Sequence, residues 1–261
     1  MKTVVYQSYR TTGVPPWVAR CLATVRDWAL SQGYDYRFLD DRLFDYVPAW
    51  YRRKVADNML LVTDLARLFV ARELLSEGFG RTIWVDADVL VFAPRNFRID
   101  LAEGYAFCRE FWIDRAGDGR LTGTPGINNA VSVFVAGNTF LDFYIDACQR
   151  IVRTSEGPSP LAVSTHFLSG LHRVMPLESI PHVGLFSPIV MRALTHAPAG
   201  PTLRMYERNG GSPAYAANLC SSFRNRTWQG VLMDDGLYDR AVGNLVEWGS
   251  SLRRDDPVGT G

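Results

Sequence analysis

Residues 82–92, Thr-Ile-Trp-Val-Asp-Ala-Asp-Val-Leu-Val-Phe, carry two carboxylates into the middle of an apolar run. Gly78 and Gly80 precede the run and Pro94 follows it, so it predicts a buried strand. Ionised Asp is almost never fully buried without a partner. On an extended segment, Asp86 and Asp88 at i and i+2 point to the same face. Two such charges repel, so one pKa rises unless a cation sits between them. A hard divalent cation, Mg²⁺ or Mn²⁺, resolves the conflict; Mg²⁺ is typically held by one or two carboxylates plus substrate phosphates. The alternative is a pair that caps a strand end and bonds loop amides, which an isolated Asp-x-Asp would suit. Here the flanks favour a metal or phosphate site. An apolar strand runs into the pair, and a helix with its own charged pair, Asp64 and Arg67, precedes it.

The chain has 261 residues, enough for one large α/β domain with a sizeable core. We expect a single domain over 1–250, with a nucleotide-binding part (1–152), an acceptor part (153–250) and a flexible tail (251–261). Formal net charge is +1, from 28 Lys+Arg against 27 Asp+Glu, so nothing global favours nucleic acid or an anionic membrane surface. Cys21, Cys108, Cys148 and Cys220 are far apart and form no CxxC pair, which argues against a zinc site or a disulfide framework. Reduced, buried thiols fit a cytoplasmic protein. There is no signal-peptide core and no apolar run near 18 residues, so no transmembrane segment is expected, with peripheral membrane association left open.

Thr3–Tyr6 predicts a first strand and Trp17–Ser31 a helix opened by Pro15-Pro16. Alternation over Tyr34–Leu39 predicts a second strand. Strand, helix and strand within 40 residues make a βαβ unit and a parallel sheet. A long helix, roughly Arg52–Ser76, follows, with Val55, Met59, Leu60, Thr63, Ala66, Arg67 and Val70 as its inward face. Asp64 and Arg67 lie on one side of it, either as a surface ion pair of little weight or as a substrate contact at the sheet edge. Residues 104–110 predict a strand, and the Gly-rich stretch 113–126 a mobile surface loop. Residues 126–136 predict another strand, entered through Asn128 and Asn129, which either orient ligand hydroxyls or satisfy turn amides. Helices are expected over 139–152, 161–174 and 237–248; 175–217 offers few clear elements. His166 and His172 read as hydrogen-bonded structural groups.

With no Walker loop and no GxGxxG, phosphate must be bound another way. A metal shared by the Asp pair and a diphosphate would neutralise charge on a diphosphate leaving group, with Arg sharing the task. That chemistry suits transfer of a group off a nucleoside diphosphate.

The blocks Val5-Tyr6-Gln7-Ser8-Tyr9, Gly33-Tyr34-Asp35-Tyr36, Thr63-Asp64-Leu65-Ala66-Arg67 and Trp84-Val85-Asp86-Ala87-Asp88-Val89 resemble, in order, those of DXD-type glycosyltransferases with the GT-A fold. The opening blocks and the Asp64/Arg67 helix resemble the sugar-binding-region family of yeast α-mannosyltransferases and bacterial capsule enzymes. The stretch 86–91 is equally similar to the glycogenin-like family. Asn128-Asn129-Ala130 resembles a further block of both, so the likeness covers about residues 3–152. It implies an α/β GT-A fold: a Rossmann-like mixed, mainly parallel sheet flanked by helices, with an irregular C-terminal acceptor region. It implies a hexosyltransferase that moves a sugar, with retention, from a UDP- or GDP-linked donor to a glycan, protein or small natural product. Asp86 and Asp88 would be the metal ligands, with Mn²⁺ or Mg²⁺. Gln7, Tyr9, Asp64, Arg67 and Ala87 would join them in donor binding. Asn128, Asn129, Ser222, Trp228 and Asp234 would be sugar or acceptor contacts, and no catalytic nucleophile is named. The sequence departs from the pattern in its glycine spacing (Gly78-Phe79-Gly80) and in having no His after His196. Ser222, Asn218, Asp234 or water is then left as third metal ligand.

Two other readings compete. A haloacid-dehalogenase-like phosphatase also carries Asp-x-Asp at a strand end, and Asp234-Asp235 could serve as its later acidic motif. That motif normally lies near the N-terminus and continues with Gly and Thr, and the later Lys is missing, since Lys2 and Lys54 are the only lysines. A non-catalytic nucleotide-sugar-binding protein could line a groove with the 7 Trp and 11 Tyr.

Overall fold

Thr3–Ser8 (β1) is buried along nearly its whole length, as a strand covered on both faces must be. The computed structural model describes residues 1–56, 58–196, 200–210, 213–249 and 252. Helix α1 (Pro16–Ser31), opened by a proline at its first position, returns the chain to β2 (Asp35–Leu39), which pairs parallel with β1. β3 (Arg81–Val85) pairs parallel with β1 on the other side. The sheet continues through β6 (Leu121–Val135) and β5 (Tyr105–Arg115) to β7 (Ser179–Ile180), in the order β2-β1-β3-β6-β5-β7. β6 runs antiparallel to both its neighbours; the remaining pairings are parallel. This is the expected mixed, mainly parallel sheet flanked by helices.

Helices α2 (Ala49–Val55), α3 (Met59–Ser76), α4 (Phe140–Thr154) and α5 (Thr165–Val174) cover one face. Val25, Trp28 and Ala29 of α1 cover the other. A second sheet joins β4 (Val89–Val91), β9 (Ala216–Asn218) and β8 (Val183–Leu185) in that order. Helices α6 (Pro188–His196), α7 (Pro201–Asn209) and α8 (Asp235–Trp248) share a core with Trp17, Val18 and Cys21 of α1. There Trp17 stacks on Tyr238 at 4.0 Å and donates its indole N–H to Asp235 at 2.9 Å. A short hairpin, β10 (Thr227–Trp228) and β11 (Val231–Leu232), precedes α8.

Four expectations are corrected. The helix over 52–76 is two helices, because Ala56 takes φ 45° and ends α2 before Asn58 opens α3. The break changes the helical phase. Met59 and Leu60 are exposed, while Leu61, Val62 and Leu65 turn inward and α3 is buried nearly all round. The run 82–92 is two strands, with β4 leaving the main sheet to pair with β9. The stretch 113–126 is no loop: it forms the arms of the β5–β6 hairpin, turned at Ala116–Gly119. Trp112 and Trp228 both donate to Asp114, fixing the hairpin against β10. The stretch 175–217, where few elements are expected, holds α6, α7 and the strands β7, β8 and β9, whose two or three residues are too short to show periodicity.

The four thiols are free and buried. His166 bonds Ser159, and His172 accepts from the Leu177 amide. No helix among the described residues is long and apolar enough to cross a membrane. The expected tail, 251–261, lies outside the described residues except for Leu252, which is buried.

Phe107 is fully buried and packs edge-on against Phe134 and Tyr144. Phe107→Ala should cost about 3–5 kcal/mol in urea denaturation, as large-to-small core substitutions do. A cost below about 1 kcal/mol would show that the ring is not part of the core.

Candidate functional site

The chain leaves β1 toward β2 on one side and later returns to β3 on the other, so β1 and β3 flank a topological switch point. Open α/β sheets hold ligands in the crevice outside the carboxyl ends of such strands. Gln7 and Tyr9 stand at the end of β1, and Asp86, Ala87 and Asp88 follow the end of β3. The two carboxylates come from a turn rather than from alternate positions of one strand. Val89 N–H closes the turn on the Asp86 carbonyl at 3.1 Å, and Asp86 N–H donates to Ala130 O at 2.8 Å.

Arg67 of α3 organises the inner side of this turn. Its guanidinium donates to Asp64, to Asp86 Oδ1 at 3.1 Å and to the Asn129 carbonyl at 2.8 Å. It also lies over the Trp84 ring, 5.2 Å from the centroid. Asp64 and Arg67 are 4% and 5% exposed, which excludes the surface ion pair. A planar fork of five donors can serve three acceptors at once. Burial alone would lower the Arg67 pKa; the Asp64 and Asp86 charges outweigh it and keep the group protonated. Trp84 adds an indole N–H to Asp86 Oδ1 at 2.6 Å. Burial, opposed by Arg67 and reinforced by the Asp88 charge, pushes Asp86 up to about 7.

A bulge in β6 brings in the asparagines. β5 pairs Phe107 with Ser132 and then Cys108 with Asn128, so residues 129–131 have no partner on β5. They stay beside the end of β3, where Val131 pairs with Val85. Such bulges re-aim side chains next to sites. Asn129 turns inward and donates to Asp64 at 3.0 Å. Asn128 accepts from Ala130 N–H at 2.9 Å through Oδ1, while its Nδ2 has no hydrogen-bond partner although the residue is buried.

The outer side comes from the C-terminal half. Asn218, at the end of β9, donates Nδ2 to Asp88 Oδ1 at 2.8 Å and to Asp86 Oδ2 at 3.5 Å. Its Oδ1 accepts from Cys220 N–H at 2.8 Å, which fixes the amide orientation. Cys220 takes the left-handed conformation, φ 55°, and the following Ser221 N–H reaches Asp88 Oδ2 at 2.6 Å. A non-glycine residue there is uncommon and costs energy, and such strain concentrates at functional sites.

The remaining candidates divide. Gln7 is fully buried, with Nε2 donating to Asp86 O at 3.2 Å and Oε1 accepting from Tyr36 at 3.0 Å. Its side chain therefore braces the turn. Tyr9 is half-buried and packs against the C-terminal core, as does Ala87. Ser222 is exposed. Asp234 caps α8, accepting from Leu237 N–H at 2.7 Å, and Trp228 bonds Asp114 on β5. Sequence reasoning missed Trp84, Tyr36, Ser221 and Glu110 of β5. Only Trp84 carried a signal, its place two residues before Asp86. Burial pushes Glu110 up to about 7, an effect the Asn128 amide opposes.

Two facing carboxylates bridged by one amide N–H leave negative charge uncompensated. Their oxygens suit a hard divalent cation whose other ligands come from substrate phosphates. No group of three His, Cys, Asp or Glu suited to a metal occurs among the described residues. Asp86 and Asp88, with Asn218 beside them, are thus the residues that would hold such an ion.

No protein-family model and no curated protein matches the sequence. Among solved structures, the chain is similar to a glycosyltransferase involved in the glycosylation of the major capsid of PBCV-1. The two are 13% identical, with 92% of this chain and 98% of that one covered and a TM-score of 0.46. It is also similar to the PaToxG glycosyltransferase: 11% identity, 96% and 88% coverage, TM-score 0.40. Both TM-scores lie below 0.5, a level that assigns neither family nor activity.

Removing one partner of a buried ion pair typically costs about 3–5 kcal/mol. Arg67→Met should lose that much in urea denaturation, and Arg67→Lys should recover little of it, because one ammonium cannot serve Asp64, Asp86 and Asn129 together. A loss under about 1 kcal/mol would place the pair among ordinary surface bridges.

Proposed function

We propose that this protein is a metal-dependent glycosyltransferase that moves a hexosyl group, with retention, from a UDP- or GDP-linked donor to an acceptor hydroxyl. The observation that carries this reading is the position of Asp86 and Asp88. They stand at the switch point between β1 and β3, one held from inside by Arg67 and the other from outside by Asn218 and Ser221. The DXD-type block order read from the sequence supplies the reaction class.

In this proposal a divalent cation, Mn²⁺ or Mg²⁺, supplies charge neutralisation at the diphosphate when bound. The chain's own groups do the rest. Arg67 opposes the effect of burial on Asp86 and orients its carboxylate from behind, while Trp84 and Gln7 lock its side chain and carbonyl. Asn218 and Ser221 each donate to one oxygen of Asp88 and so orient its carboxylate. The nucleoside lies along the ends of β1 and β3, near Tyr9 and Ala87. The bond from the anomeric carbon to the diphosphate oxygen breaks, the acceptor oxygen takes its place, and the acceptor proton leaves with the nucleoside diphosphate. The elements after β6 border the site and form the acceptor side, whether the acceptor is a glycan, a protein or a small natural product. The phosphatase reading lacks its lysine: Lys2 pairs with Asp35 at the surface and lies over Phe79, and Lys54 is on the exposed side of α2.

The test is thermal shift and donor turnover with a panel of UDP- and GDP-sugars plus Mn²⁺. Ligand at 100-fold its Kd should stabilise the protein by about 2.7 kcal/mol. The shift should require metal, and Asp88→Ala should abolish both shift and turnover. Phosphate release from monoesters, with no shift for any nucleotide sugar, would overturn the proposal.

A further inference from the structure

The reaction outlined above leaves Glu110 without a role and takes Asn128 no further than the sugar or acceptor contact that the resemblance implies. Glu110 is half-buried on β5, opposite Gly126 of β6, and no salt bridge to it occurs among the described residues. Asn128 occupies the position paired with Cys108, two residues before Glu110. Its amide nitrogen is buried without a hydrogen-bond partner, yet lies close enough to Glu110 to favour the ionised carboxyl. A buried donor left unmade costs about 1–3 kcal/mol, so such a group calls for a partner.

The surroundings connect the pair to the site. The Cys220 thiol, pushed up first by burial, also feels Asp88, Glu110 and Asp86. Asn128 Oδ1 holds the Ala130 amide, and the Ala130 carbonyl takes the Asp86 N–H, so the pair adjoins the turn through one residue. A side chain at position 126 would fill the space over Glu110: a Cβ there would stand 3.6 Å from Glu110 Cβ and 2.9 Å from Ser169 Oγ. Asn129 is different, since its amide is already spent on Asp64. Of the two asparagines, only Asn128 has a donor to offer.

We infer that Glu110 and Asn128 form a carbohydrate-hydroxyl subsite that reads the sugar of the donor, a specificity element of the transferase site proposed above. A carboxylate accepts from hydroxyls and an amide N–H donates to their oxygens; vicinal hydroxyls of a pyranose present both functions within reach of one such pair. A site that bonds a hydroxyl strongly rejects the analogue lacking it, because its own groups are then left unpaired.

The test compares binding of UDP and GDP with binding of UDP- and GDP-hexoses, each with Mn²⁺, by calorimetry. The wild type should bind its donor at least about tenfold more tightly than the matching nucleoside diphosphate, a difference of about 1.4 kcal/mol. Glu110→Ala should erase that advantage and Glu110→Gln should restore part of it. Both variants should keep the nucleoside diphosphate Kd within about twofold, which also shows that they fold. Full retention of the sugar advantage in Glu110→Ala would overturn the assignment, as would a wild type that binds donor and nucleoside diphosphate equally. A wild type that binds neither would overturn the glycosyltransferase reading itself, and the subsite with it.

Discussion

The Arg67 guanidinium is the interaction on which the centre of this protein depends. It lies inside the molecule with Asp64 beside it, Asp86 and the Asn129 carbonyl in front and the Trp84 ring against its face. Those groups come from three parts of the chain. One cation thus ties α3, the end of β3 and the bulge of β6 to a single point. Charges taken out of water need that completeness, since a half-satisfied network is worse than an apolar core. The Tyr6 hydroxyl completes it by donating to the Arg67 carbonyl at 2.7 Å.

The outer half of the site is built by opposite means. Among the described residues no buried cation stands there; main-chain amides and one asparagine do the holding. β4 leaves the main sheet straight after Asp88 and pairs with β9, so Asn218 lands beside the turn. The left-handed Cys220 then delivers the Ser221 amide. A rigid inner clamp and an outer clamp of neutral donors leave the space between the carboxylates electrically unsatisfied. That is the condition under which a divalent cation and a diphosphate bind together.

Much of the inner half was legible in the sequence. Two Asp residues in an apolar run cannot be buried unpaired, and Asp64 and Arg67 share one side of a helix by spacing alone. The βαβ opening was legible from Pro15-Pro16 and the flanking apolar runs. Of the outer half only Asn218 was named, among the candidates left by the missing His. Ser221 was not, because it reaches Asp88 across more than a hundred residues, from a short turn that follows a three-residue strand. The break at Ala56 was hidden because no Gly or Pro marks it. Glu110 was passed over because a lone Glu at a strand end reads as a solvent-facing residue, and only the bulge in β6 sets Asn128 beside it.

The central claim is that Asp86 and Asp88 share a divalent cation with a nucleoside diphosphate. Electron paramagnetic resonance of Mn²⁺, titrated into the protein with and without UDP or GDP, tests it most directly. The account predicts one tightly bound Mn²⁺ per chain when a nucleoside diphosphate is present, much weaker binding without it, and loss of the site in Asp86→Asn and Asp88→Asn. Mn²⁺ that stays free with either nucleotide, or binds equally in the two variants, would contradict it.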